Sequence, residues 1–399
     1  SMIKEYRKAY IEEFTQEKYQ ALMDDLKQRF GTLPGFKVAE TPIFIPHKLR
    51  QRLFEATADI LKVINRPDFK ELTQGAFYND DIIVPNEDDH PKFIQLDFGI
   101  CLDEQGELTP KLIELQGFPS LFYYQEALAR TYRRHFDIPE GFSIHPNSIT
   151  HAEFLELLRS EIVGDTDPKR VVILEVEPEK QATAIDFKAT EIRLGVKTLC
   201  LTKLKKRGKT LFYLDEDGEE VKIEKIYNRV IFDELYQRPE LKREFHFVDE
   251  VDVEWIGHPN WFFRISKYLM PFLKGDYVPK SYLLDKLEVL PEDLQNYVLK
   301  PLYSFAGTGV QINVTKEIID ALPNKSNYML QEKVEYHPVI ETLDVPAKCE
   351  IRIMLIRSSK TNSMQIISNL VRLSKGEMVG VRYNKDKNWV GSSAGFFEI

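Results

Sequence analysis

A chain of 399 residues exceeds the usual extent of one hydrophobic core, so two or three lobes of roughly 100–200 residues each are expected. With 43% hydrophobic and 29% charged residues it has the make-up of an ordinary soluble globular protein. A formal charge of −9 and a pI near 5.6 argue against a general nucleic-acid binder, yet leave room for a local anion site.

No run of about 18 apolar residues and no basic segment leading into an apolar one is present, so neither a membrane span nor a signal peptide is expected. Cys101, Cys200 and Cys349 lie far apart in apolar runs, without metal-ligand spacing. They read as reduced structural thiols of a cytoplasmic protein.

Tyr6, Tyr10, Phe14, Tyr19, Leu22, Leu26 and Phe30 stand at helical spacing and stop at Gly31, which predicts one or two amphipathic helices covering a lobe. A further helical stretch runs from about Lys48 to Ile64, ahead of Pro67. Neither carries recognisable chemistry. Phe93 to Asp103, a turn at Glu104–Gly106, and Lys111 to Pro119 then read as a hairpin. It places Asp97 on one strand and Glu114 and Gln116 on the other, the latter two on one face by their i, i+2 spacing. Three oxygen-bearing side chains on adjacent strands can hold a hard cation such as Mg²⁺. The same alternation also marks the solvent face of an antiparallel hairpin.

From Arg170 the pattern changes. A continuous apolar strand (Val171 to Val176), a helix (Gln181 to Leu194) ended by Gly195, and a second strand (Val196 to Leu201) imply a parallel pair with a right-handed crossover. A hairpin follows, from Thr210 to Ile223 around Asp215–Gly218. The strand read from Ile226 to Asp233 carries Asn228 and Arg229, and the arginine is either a salt-bridged structural residue or a carboxylate anchor. Beyond a linker at Tyr236–Glu244, the segment His258 to Lys267 leads into a helix broken near Pro271.

The stretch Tyr297–Val314 joins a short apolar strand, Lys300-Pro301, a small-residue loop from Ser304 to Gly309, and an alternating run that predicts a second strand over Val310–Val314. Glycines let backbone N–H groups approach a phosphate, and a nearby ammonium adds a point charge to the same anion. A hairpin with a glycine-containing turn has the same pattern, and neither the P-loop nor the dinucleotide fingerprint is matched. Downstream, Tyr328 to Val334 is an apolar strand turning polar. Cys349 to Ile356 alternates, with Glu350 and Arg352 on one face.

Taken in this order, Asp97-Phe98, Glu114-Leu-Gln116, Lys267, Val298-Leu-Lys-Pro301 and Gln331-Glu-Lys-Val334 resemble the ATP-grasp superfamily. The resemblance is to its circularly permuted branch, which includes glutathionylspermidine synthetase and eukaryotic-type glutathione synthetase, and it covers about residues 90–399. It implies an α+β or α/β ATP-grasp fold, in which two α+β lobes sandwich a nucleotide and a βαβ substrate lobe is inserted. The implied organisation is a helical region over 1–90, a metal-ligand hairpin and helices over 91–165, a βαβ substrate lobe over 166–245, and nucleotide-binding lobes over 246–399.

ATP and Mg²⁺ are the implied cofactors, with Asp97, Glu114 and Gln116 as metal ligands. Lys267 and Lys300 resemble phosphate-contacting lysines, and Ser304, Ala306, Gly307, Thr308 and Gly309 form the loop over the phosphates. Gln331, Glu332, Lys333 and Val334 resemble the hinge that receives adenine. Arg352 and Arg382 resemble residues facing the triphosphate or acyl phosphate and, with Lys300, are the implied catalytic set. Asn228 and Arg229 are the candidates for recognising the acceptor's carboxylate.

The implied reaction joins a small-molecule carboxylate to an amine or thiol through an acyl phosphate. This sequence departs from the family pattern in two places. Gln116 stands where an asparagine is usual, and the loop has two glycines and no acidic residue to serve as a further metal ligand. Glu350 is either its substitute or a partner of a neighbouring cation. A degenerate nucleotide binder, a small-metabolite kinase and a plain α+β binding module are the alternatives.

Overall fold

Over the first thirty residues the aromatic and aliphatic spacing produces two helices, Lys4–Glu13 and Gln16–Phe30. Thr15 separates them, its side chain accepting from the Lys18 N–H at 3.1 Å and so capping the second helix. That helix closes at Gly31 with φ of 72°, a left-handed conformation that costs glycine nothing. Tyr10, Leu22 and Leu26 face inward, where they join Leu128, Tyr132, Phe136 and Trp389 in one core. The computed structural model describes residues 2–303, 306, 309–376 and 388–399.

The expected third helix is His47–Ile64, and its Leu49, Leu53, Ala56, Ile60 and Ile64 stripe packs on a five-stranded antiparallel sheet. The sheet runs Gly391–Ser393, Ser363–Ser374, Lys348–Ser358, Phe93–Leu102, Leu108–Gln116, and includes the hairpin read from the sequence. Alternation decides its faces. Ile94, Leu96, Phe98, Ile100, Ile351, Ile353 and Leu355 meet the helix, each burial contributing about 1.5–3 kcal/mol. At one end of the opposite face Phe93, Met354 and Ile356 continue the first core. At the other end that face turns polar, with Asp97 paired across strands to Arg352, and Gly99 to Glu350.

The βαβ unit is present and extends to four parallel strands in the order Glu254–Ile256, Lys225–Asn228, Val171–Glu175, Lys197–Cys200. Its helix covers Ala184–Leu194 and begins three residues later than the sequence reading, because the Gln181 side chain is spent on the Val176 carbonyl at 2.7 Å. The strand read as far as Asp233 stops at Asn228, whose Oδ1 accepts from the Val230 N–H at 3.1 Å and turns the chain. Phe232–Gln237 is then a short helix across the expected strand end and linker.

A three-stranded antiparallel sheet carries Ser281–Leu283, Tyr328–Glu332 and Tyr297–Pro301 in that order. The strand expected over Val310–Val314 reduces to one bridge, in which Leu299 and Gln311 exchange two 2.9 Å hydrogen bonds. Val310 and Ile312 are exposed, so the apolar alternation there has no layer to pack against. Finally, Ile43–Ile45 pairs in parallel with Gly395–Glu398, which pairs with Phe142–Ser143. The architecture is mixed α+β. Among the described residues no helix is long and apolar enough to cross a membrane.

Candidate functional site

Strand register gathers the first group. Asp97 stands opposite Glu114 on one side and Arg352 on the other, while Gln95 stands opposite Gln116. Glu114 and Gln116 share a face, as the hairpin reading expects, and the register adds Asp97 to it. One strand further, Arg372 lies opposite Glu350.

The two facing carboxylates are in different states. Asp97 is 2% exposed, and both its oxygens are occupied. Arg352 donates from Nε to Oδ1 at 2.6 Å and from Nη2 to Oδ2 at 3.1 Å, and Arg372 Nη2 adds a bond to Oδ2 at 2.9 Å. Burial alone would raise the Asp97 carboxyl, but the two guanidinium groups outweigh it and hold the group below the ordinary carboxylate range. Glu114, by contrast, has no hydrogen-bond or ion-pair partner among the described residues, and neither has Gln116.

Glu350 is buried 4.0 Å from Arg372 and accepts from the Tyr336 hydroxyl at 3.1 Å. Burial, offset in part by Arg372 and reinforced by the charge of Asp97, pushes its carboxyl up to about 7. Of its two sequence readings, the described residues show the arginine-paired one. The Tyr336 ring lies on Gly99, where a Cβ would come within 2.8 Å of a ring carbon.

Lys300 reaches the same face from the three-stranded sheet. Its ammonium donates to Gln331 Oε1 at 2.6 Å, and Gln331 in turn donates to Ser281 Oγ at 2.9 Å. Burial pushes the Lys300 amine down to about 8; the charges of Glu114 and Glu350 work against that shift and the charge of Lys267 works with it. These four side chains are thus within electrostatic reach of one another.

Lys267 starts a 3₁₀ turn, Lys267–Phe272, capped where Ser266 Oγ accepts from the Tyr268 N–H. The helix expected there is only this turn, with Pro271 inside it, after a single helical turn over Trp261–Arg264. Gly117 fixes Lys267 relative to the hairpin. Its N–H donates to the Ile265 carbonyl at 3.0 Å, and a Cβ on it would stand 2.5 Å from the Trp261 carbonyl oxygen. As a result Glu114, Gln116 and Lys267 line one cavity of about 300 Å³, closed by Phe118, Ile231, Asp233, Phe262, Leu302 and Tyr303. Gly117→Ala is expected to cost about 1–3 kcal/mol, because neither backbone can yield. Urea unfolding measures this, and a variant as stable as the parent would show that the two segments can separate without loss.

A second cavity, of about 570 Å³, opens beside residues 332–335 and is walled by Cys101, Thr109, Lys111, Tyr277 and Pro279. Glu332, Lys333 and Val334 border it, whereas Gln331 is held inside by Lys300 and Ser281. The N–H groups of Glu332 and Lys333 are spent on the carbonyls of Lys280 and Asn296, at 2.9 and 2.8 Å. That of Val334 has no partner among the described residues.

The remaining sequence candidates fall as follows. Asn228 is turned onto the Val230 backbone. Arg229 is 4% exposed, donating to the Pro119 carbonyl and packing its guanidinium 4.8 Å from the Phe118 ring, behind the wall of the smaller cavity. Its charge opposes the burial that pushes Glu175 up to about 7. The Ala306 carbonyl accepts from the Tyr328 hydroxyl at 2.8 Å, and Gly309 has open space around its Cα. Ser304, Gly307, Thr308 and Arg382 lie outside the described residues. Arg372 was not singled out by sequence reasoning, although a lone arginine within the apolar strand run Leu370-Val-Arg-Leu373 is a signal for it.

Among the described residues no group of three or more His, Cys, Asp or Glu side chains gathers as a metal site. Magnesium nevertheless needs only one or two protein oxygens when phosphate and water complete its octahedron. Glu114 and Gln116, with free oxygens, fit that requirement; Asp97 does not.

No protein-family model matches the chain, and no curated protein does. Solved structures do match. One is a glutathione synthetase-like effector from Globodera pallida in its apo form, aligned over 96% of each chain with a TM-score of 0.59 at 13% identity. The likeness is one of fold.

Proposed function

We propose that this chain is an ATP-grasp protein, acting as an ATP- and Mg²⁺-dependent ligase that joins a small-molecule carboxylate to an amine or thiol through an acyl phosphate. The observation that carries the reading is the convergence of three polar side chains on one largely apolar cavity. Glu114, Gln116 and Lys267 converge on it without hydrogen-bond or ion-pair partners among the described residues, and a second ammonium, that of Lys300, lies alongside. A desolvated lysine held near a second one is an arrangement that an anionic ligand would stabilise.

The nucleotide's phosphates would lie on Lys267 and Lys300, its base in the larger cavity against Glu332, Lys333 and Val334, and Ser304–Gly309 would close over the phosphates. Mg²⁺ on Glu114 and Gln116 would neutralise phosphate charge that otherwise repels the attacking carboxylate. Arg352 and Arg382 complete the proposed positive surroundings of the transferred group. The acceptor would occupy the smaller cavity, with Arg229 supporting its Phe118 wall from behind.

A second reading, a nucleotide binder without turnover, draws on Gln116 and on the occupied oxygens of Asp97. Release of ADP in the presence of carboxylate and amine pairs separates the two, and phosphorylated product would identify a kinase. The first test is thermal unfolding with and without ATP and Mg²⁺. A ligand that binds only the native state stabilises it by RT ln(1 + [L]/Kd), about 2.7 kcal/mol at a hundredfold excess over Kd. A Mg²⁺-dependent rise in Tm is expected; no shift at millimolar ATP would refute the nucleotide site.

A further inference from the structure

We propose that Asp97 is the counter-charge that fixes Arg352 and Arg372 and takes no part in ligating the cation, so that one divalent ion is held by Glu114 and Gln116 together with the nucleotide's phosphates. The proposal rests on the nucleotide reading above and contradicts the ligand set that the resemblance implies.

Asp97 sits between Glu114 and Arg352 in register, and all three of its charge-assisted hydrogen bonds run to the arginine side. The pairing with Arg352 is bidentate, the strongest arrangement available to a carboxylate and a guanidinium. A cation taken up by Asp97 would have only the remaining acceptor site on Oδ1, and would lie there against the charges of both guanidinium groups. Were Arg352, 8% exposed, pushed aside, its buried charge would lose both hydrogen bonds and keep only the nearby charge of Glu350, which Arg372 already shares. Glu114 accepts no hydrogen bond and forms no ion pair among the described residues, feels Lys300 and Arg372 only through their charge, and lines the cavity that also receives Gln116. Two neighbouring carboxylates therefore divide the work: one orders the arginines and the other meets the metal.

The test is a Mn²⁺ titration followed by electron paramagnetic resonance, in the presence of a non-hydrolysable ATP analogue. The parent protein is expected to bind one Mn²⁺ per chain. Asp97→Asn combined with Arg372→Gln removes the carboxylate while conserving the net charge of the cluster, and its Mn²⁺ affinity is expected to stay within about threefold of the parent. Glu114→Gln is expected to lose at least the roughly tenfold that even an outer-shell partner of a metal is worth.

Two Mn²⁺ per chain in the parent would overturn the proposal without any variant having to fold. So would loss of Mn²⁺ from the double variant equal to that of Glu114→Gln, with the nucleotide reading left standing. A parent that bound no Mn²⁺ with the analogue present would overturn both, and so marks the failure of the underlying reading.

Discussion

Lys300→Met should abolish nucleotide turnover, by at least about 10²–10³-fold, while leaving the protein no less stable. The loss follows from removing a preorganised positive charge at the proposed phosphate position. The retained stability follows from what the amine does in the protein itself: it makes one hydrogen bond to a neutral amide, and its burial outweighs the attraction of Glu114 and Glu350. Methionine replaces the stem with similar volume and no charge to desolvate.

A pH measurement adds an internal check. A lysine whose folded value is depressed to about 8 gives up its proton before the unfolded chain does. Between about 8 and 10.4 the unfolded state therefore binds more protons, and stability rises with pH across that window. The parent should show this rise in urea unfolding and the variant should lack it. Undiminished ADP release by Lys300→Met would remove Lys300 from the site, and a large loss of stability at neutral pH would make it a structural residue.

Arg352→Ala should be the most destabilising single change around the site, costing about 3–5 kcal/mol, toward the lower end because Arg372 remains. It leaves Asp97 buried with one guanidinium in place of two. The sign of its pH dependence follows from Asp97, whose folded value is depressed. A depressed carboxylate contributes stability above its unfolded value and loses it as pH falls through the folded one. The gap between parent and variant should accordingly be widest near neutrality and narrow in acid. A gap below about 1 kcal/mol at pH 7 would show that the pair is no stronger than an exposed one.

How much of this was legible in the sequence depended on range. The hairpin carrying Asp97, Glu114 and Gln116, the βαβ unit and the helices around Leu22 and Leu53 declare themselves through periodicity, since each buries its apolar face against a nearby layer. Val310–Val314 has the same alternation and fails as a strand because Val310 and Ile312 meet no layer. At the site, residue types announced an anion and a cation, but not which charges neutralise each other. That Asp97 is opposite Arg352 is decided by the register of strands some 250 positions apart (352 minus 97 is 255), and nothing local encodes it. Arg229 shows the same limit: its guanidinium is spent on Pro119 and Phe118, a contact set by the packing of the parallel sheet on the hairpin's end.

The parallel pairing of Ile43–Ile45 with Gly395–Glu398 bears on how the molecule is assembled in time. Its partners are 352 positions apart (395 minus 43), so almost the whole chain forms the loop that this contact closes. The equilibrium penalty is mild, because each doubling of loop length adds only about 0.6 kcal/mol. The kinetic penalty is larger, since the entropy of closing so long a loop is lost before the contact can reward it. Until that pairing forms, the apolar stripe of His47–Ile64 has only part of its final surface to cover. Cutting near residue 90 would not release a self-contained piece; it would take a strand from the sheet that holds the final residues.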